Sequence, residues 1–125
     1  MTKSVMVIDD SLLVRRQVGN ALKGLGYTVV EAVDGLDALE KLEAQSSLPH
    51  LIICDVNMPR MNGIEFLERL ASRGSIPVVM LTTEGEPELI QRAKSLGAKG
   101  WLIKPFRPEY LEATAKKWAP LPASA

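Results

Sequence analysis

The segment Leu51-Ile52-Ile53-Cys54-Asp55 is four apolar residues that end abruptly on a carboxylate. The run has strand length, and it is continuously apolar where a half-exposed strand would alternate. A strand of that kind is covered on both faces, as in a parallel sheet. Four more runs have a similar build: Val5–Ile8, Thr28–Val30, Val78–Leu81 and Trp101–Ile103. Thr28–Val30 is the weakest and reads as an edge strand.

Amphipathic stretches with helical spacing lie between and after the runs. Val14, Val18, Ala21, Leu22 and Leu25 form one stripe, stopped by Gly26. Ala38, Leu39 and Leu42 form a second, and Ile64, Leu67 and Leu70 a third. Leu89, Ile90, Ala93 and Leu96 form a fourth, bracketed by Pro87 and Gly97; Leu111, Ala115 and Trp118 form a fifth behind Pro108. Strand–helix alternation repeated in this way predicts an α/β domain: a doubly wound, five-stranded parallel sheet with right-handed crossovers and five helices on its two faces. The domain is expected over residues 1–118. Residues 119–125, with two Pro and three Ala, read as a frayed tail.

At 125 residues, 46% hydrophobic and 24% charged, the chain has the composition of one folded globular unit. Fifteen Lys and Arg balance fifteen Asp and Glu, which argues against general nucleic-acid binding. Cys54 is the single cysteine, so an intrachain disulfide and a cysteine zinc site are excluded and a reducing compartment is favoured. Val5–Ile8 runs straight into Asp9 and Asp10, too short for a signal-peptide core or a bilayer span. The expected location is cytoplasmic, with no membrane partner, and the expected state is a monomer.

In open α/β sheets, ligands lie beyond the carboxyl ends of the strands. Asp9 and Asp10 follow the first run, Asp55 the third, Thr82 and Thr83 the fourth, Lys104 and Pro105 the fifth. Singly, each has an ordinary alternative: Asp9 or Asp10 as the cap of the next helix, Thr82 as a loop hydroxyl, Lys104 as a solvated charge. Together they read differently. Three carboxylates on one edge repel each other unless a cation joins them, and oxygen donors of this kind suit Mg²⁺ or Mn²⁺. A Lys and a Thr hydroxyl beside that cation complete a phosphoryl pocket, with Asp55 on the central strand as nucleophile for an acyl phosphate. No Walker loop or Gly-rich fingerprint is present, which demotes nucleotide binding. Cys54 reads as a small buried hydrophobe and His50 as an ordinary loop residue.

These residues resemble the receiver domains of two-component response regulators, most nearly the stand-alone chemotaxis type. The resemblance rests on Val7-Ile8-Asp9-Asp10-Ser11, Cys54-Asp55-Val56-Asn57-Met58-Pro59 with Met61-Asn62-Gly63, Leu81-Thr82-Thr83, and Gly100-Trp101-Leu102-Ile103-Lys104-Pro105-Phe106. It implies the strand order 2-1-3-4-5. It implies Asp55 as phospho-acceptor, and Mg²⁺ held by Asp10, Asp55 and the backbone carbonyl of Asn57, with Asp9 acting through a bound water. Lys104 and Thr82 would contact the phosphoryl oxygens, with a cis peptide between Lys104 and Pro105. Asn57, Thr83 and Glu84 would tune the lifetime of the phosphoryl group. Trp101 falls at the family's switch aromatic, and two readings stand: a ring that moves with phosphorylation, or a strand-edge aromatic that always packs inside.

The function implied is a signalling switch, phosphorylated on Asp55 by a histidine kinase and not an enzyme in the conventional sense. An output partner, with a flagellar motor switch as one candidate, would bind the surface of the fourth helix, fifth strand and fifth helix. The alternative is a phosphorelay carrier or phosphate sink without an output partner of its own. A Mg²⁺-dependent phosphatase ranks below both, because Asn57 stands where a second acid would be needed.

Overall fold

The computed structural model describes residues 3–44, 48–56, 58, 60–71, 76–82, 87–104 and 107–121. Strands and helices alternate along them: β1 (Ser4–Ile8), α1 (Leu12–Gly24), β2 (Thr28–Ala32), α2 (Gly35–Ala44), β3 (Leu51–Asp55), α3 (Gly63–Leu70), β4 (Val78–Thr82), α4 (Pro87–Ser95), β5 (Gly100–Ile103) and α5 (Pro108–Trp118). Every strand pairing is parallel, in the order β2-β1-β3-β4-β5. The doubly wound sheet expected from the sequence is thus the observed one. β2 is an edge strand on which only Ala32 is buried, and β3 is central and buried throughout.

Successive strand residues feed opposite faces of the sheet. Met6, Ile8, Ile52, Cys54, Val78 and Met80 pack with Leu39, Leu42, Phe66, Leu67 and Ala93 from α2, α3 and α4. Val5, Val7, Ile53, Val79, Leu81 and Leu102 pack with Val18, Leu22, Leu111 and Ala115 from α1 and α5. Full burial of one such aliphatic side chain stabilises the fold by about 1.5–3 kcal/mol. A one-residue slip of any strand would turn its whole set outward, so the two cores lock the register. The residues one step past each strand are therefore held at set positions.

Local signals fix the helix ends. Ser11, not Asp9 or Asp10, caps α1: its Oγ accepts the Val14 N–H at 3.3 Å, and Asp9 Oδ1 instead accepts the Ser11 N–H at 2.9 Å. Gly26 and Gly97, both at φ 102°, follow α1 and α4, a left-handed geometry that glycine adopts without a Cβ penalty. Asn62 and Glu65 form a capping box at the start of α3.

The first residues of the tail, 119–121, include packed positions. Ala119 is buried, its carbonyl accepts the Tyr27 hydroxyl at 2.8 Å, and Leu121 packs on the α1–α5 core. The composition of the tail carried no sign of Tyr27, which lies 92 residues away. Residues 122–125 lie outside the described residues. Among those described, no helix is long and apolar enough to cross a membrane.

Candidate functional site

The carboxyl edge of the sheet gathers the polar residues that end or follow the strands. Ile8 pairs with Cys54, so the next step of that register sets Asp9 beside Asp55. Asp55 pairs with Leu81 and Thr82 with Ile103, and the Lys104 N–H donates to the Thr82 carbonyl at 2.7 Å. One carboxylate oxygen from each of Asp9, Asp10 and Asp55 lies within 4.8 Å of the others. Asp9 is 0% exposed and Asp55 5%, whereas Asp10 faces solvent. The cluster has a dry floor and a wet mouth.

Lys104 answers two of these charges. Its Nζ stands 2.7 Å from Asp9 Oδ2 and 3.4 Å from Asp55 Oδ2. Burial by itself would lower the lysine's pKa. The hydrogen bond to Asp9, with the charges of Asp9 and Asp55, outweighs that and raises it above the ordinary value. Lys104 is therefore held protonated over both acids.

Asp9 is braced from three further sides. Its Oδ1 accepts the Ser11 N–H, its own N–H donates to the Ala32 carbonyl at 3.1 Å, and its carbonyl accepts Arg15 Nη1 at 2.7 Å. Arg15 is largely buried on α1, and its Nε donates to Glu31 Oε1 at 3.2 Å. Strand alternation puts Thr82 and Trp101 on the other face, since Trp101 pairs with Met80 and Met80 shares parity with Thr82. Thr82 is buried. Trp101 packs in part against the α2–α4 core, and its buried indole N–H has no hydrogen-bond partner among the described residues.

Asp9, Asp10, Asp55 and Lys104 thus come together as the sequence predicted, with Thr82 and Trp101 on the adjoining strands. Asn57, Thr83, Glu84 and Pro105, which carry the remaining metal, lifetime and cis-peptide expectations, lie outside the described residues. Cys54 is fully buried. Burial first, then the charges of Asp55 and Asp9, push its thiol well above the ordinary pKa, so it is the inert packing residue expected. His50 lies at the amino ends of the strands, where its Nδ1 accepts the Ser4 N–H at 3.1 Å.

Two supports went unread in the sequence. Arg15 lies in a helical stretch, and nothing in the sequence points to its partner Glu31. Asp34 and Arg60 form a two-pronged ion pair across 26 residues, with Arg60 Nε at 2.6 Å and Nη2 at 2.9 Å from the carboxylate. Asp34 carried a weak signal, as an acid ahead of a helix; Arg60 carried none.

The donor set fits a hard divalent cation. It consists of oxygen donors, and its three negative charges exceed the single positive charge of Lys104. The carboxyl edge of the sheet thus presents an acidic cleft facing a partly buried lysine. The chain belongs to the response regulator receiver domain family, whose model matches residues 5–116. It is 40% identical over 114 residues to the chemotaxis protein CheY of Treponema pallidum, covering 89% of this chain and 79% of that protein. It is 38% identical over 112 residues to the chemotaxis protein CheY1 of Helicobacter pylori, covering 86% and 90%. Among solved structures it resembles the chemotaxis protein CheY4 of Vibrio cholerae, with a TM-score of 0.88 and 40% identity over 94% of this chain and 99% of that one.

Proposed function

We propose that the chain is a response regulator of the CheY type that takes a phosphoryl group on Asp55 from a histidine kinase, in a reaction that requires Mg²⁺ or Mn²⁺. The observation that carries this reading is Lys104 Nζ poised between Asp9 and Asp55, at 2.7 and 3.4 Å. A carboxylate oxygen of Asp55 forms the new P–O bond as the donor's P–N bond breaks, and the departing imidazole takes up a proton. Asp10 and Asp55, with the Asn57 carbonyl and with Asp9 through a water, would hold the cation, which would supply charge neutralisation for the transferring group. Lys104 can transfer its contact from Asp55 to a phosphoryl oxygen, and Thr82 offers a hydroxyl on the other side. Asn57, Thr83 and Glu84 tune the return to the free carboxylate. The protein is consumed and regenerated as the acceptor, so it is not an enzyme in the conventional sense.

Output is assigned to the α4–β5–α5 face. Thr82 and Trp101 share one side of the sheet, so a hydroxyl drawn toward the phosphoryl group opens space beside the indole. A groove of about 620 Å³ runs between β5 and α5, lined by Trp101, Ile103, Arg107 and Tyr110. Ile103 is 54% and Tyr110 58% exposed, a surface suited to an apolar anchor. The basic character of the face is partly spent internally: Arg92 pairs with Glu68 and Lys116 with Glu112. Lys94, Lys99 and Lys117 remain exposed to attract an acidic partner segment.

Incubation with a small phosphodonor and Mg²⁺, followed by mass spectrometry, tests the acceptor. A single phosphoryl adduct on Asp55 is expected, lost with a chelator and lost in Asp55→Asn. Wild-type labelling of Asp55→Asn overturns the assignment. A labelled protein that binds no partner more tightly than the unlabelled one is a carrier or sink instead.

A further inference from the structure

Among the described residues, Arg60 is the single non-glycine residue at positive φ, at 61°. That region disfavours an L-residue, so something must hold Arg60 there. Its guanidinium grips both oxygens of Asp34, a carboxylate only 3% exposed, in a planar two-bond fork. Asp34 is itself anchored. Its Oδ1 also accepts the Asp37 N–H at 2.9 Å in the first turn of α2, and the Arg60 hydrogen bond, the largest influence, keeps its carboxyl below the usual pKa.

The neighbouring residues repeat the contact. Met61 is buried, and a Cβ on Gly35 would meet its Cγ and Sδ at 2.8 Å, so Arg60–Met61 is seated directly on Asp34–Gly35. Two residues on, the chain returns to the acceptor. The Gly63 N–H donates to the Val56 carbonyl at 2.9 Å, and a Cβ on Gly63 would fall 2.5 Å from the Asp55 carbonyl oxygen. The segment Arg60–Gly63 is therefore clamped to α2 at one end and laid on the backbone of Asp55 at the other.

We infer that Arg60 and Asp34 are a positioning pair for Asp55: by clamping the returning loop to the start of α2, they hold the acceptor carboxylate in the geometry that binds the cation. The inference rests on the functional reading above and extends it to residues that touch neither cation nor phosphoryl group. Partners that orient a ligand directly are worth about 10–100-fold in metal affinity, so a smaller effect of about 3–10-fold is expected of a pair acting one step further back.

Arg60→Gly is the discriminating variant, because glycine accepts φ 61° freely while the clamp is lost. Mg²⁺ is titrated by tryptophan fluorescence, urea unfolding is measured without Mg²⁺, and phosphorylation by a small phosphodonor is followed across Mg²⁺ concentrations. The expected result is a urea midpoint that falls only in part, because relief of the φ strain offsets some of the lost fork, a Mg²⁺ Kd about 3–10-fold higher, and a phosphorylation rate that recovers at saturating Mg²⁺. Arg60→Lys, which keeps the charge without the fork, should regain part of the affinity. Asp34→Asn combined with Arg60→Gly should be no weaker in Mg²⁺ binding than the more affected single variant. A wild-type Kd in Arg60→Gly overturns the inference alone, as does a Kd that rises only in step with lost stability in both Arg60 variants. A wild-type protein that binds no Mg²⁺ overturns the functional reading and this inference with it.

Discussion

Replacing Lys104 by Met should weaken the metal-free protein and at the same time tighten its hold on Mg²⁺. Lys104 is the counter-charge seen for Asp9, which is 0% exposed, and it stands 3.4 Å from Asp55. At an effective dielectric of about 20, pairs at such distances attract by roughly 5–6 kcal/mol before desolvation is subtracted. Removing one partner of a buried pair costs about 3–5 kcal/mol net. The cluster opens to water at Asp10, which favours the lower end. A loss of about 3 kcal/mol corresponds to a fall in Tm of roughly 9–15 °C for a domain of this size.

The cation reverses the sign. In the wild type Lys104 and Mg²⁺ would share Asp55, and Lys104 also neutralises the neighbouring Asp9, so Lys104→Met should bind Mg²⁺ about tenfold more tightly, near 1.4 kcal/mol. At ten times its Kd, the ion then returns about 1.4 kcal/mol of stability. Thermal and urea unfolding with and without Mg²⁺ read both effects. The pH dependence has a definite direction. Because the folded-state pKa of Lys104 is raised, its contribution is complete below the unfolded value of about 10.4 and is lost as pH rises through the folded value. The gap between wild type and variant should therefore hold from neutral pH to about pH 10 and close above it. A Lys104→Met protein as stable as wild type without Mg²⁺, or one that binds the ion more weakly, refutes the reasoning.

Gly63→Ala should lower stability by about 2–3 kcal/mol and weaken Mg²⁺ binding, because its methyl would meet the Asp55 carbonyl at 2.5 Å, a backbone atom that cannot step aside. Gly35→Ala meets only the flexible Met61 side chain and should cost less; equal losses by urea unfolding would contradict this. Trp101 emission should shift when beryllofluoride and Mg²⁺ are added, and shift less in Thr82→Ala, since both residues lie on one face of the sheet. Silence of that signal with the site demonstrably occupied would remove the switch and leave a carrier.

What the sequence disclosed, and what it kept back, follows from the range of each interaction. Strands and helices were readable because their periodicity is local, and the site was readable because a parallel sheet delivers the residue after every strand to one edge. Asp9, Asp55 and Lys104 needed no knowledge of side-chain packing to be brought together. Arg15, Arg60 and Ala119 did. Each acts through a partner elsewhere in the fold, Glu31, Asp34 and Tyr27 respectively, and no periodicity or spacing connects the two halves. Arg60 is the clearest instance, because its local signal points the wrong way: an arginine is a poor choice for a left-handed position when the backbone alone is considered. Only the buried carboxylate of Asp34 makes the choice intelligible, by converting local strain into a long-range tether. Site residues can thus be legible while the residues that aim them stay hidden, because chemistry at a strand end is set by topology and aim is set by tertiary contact.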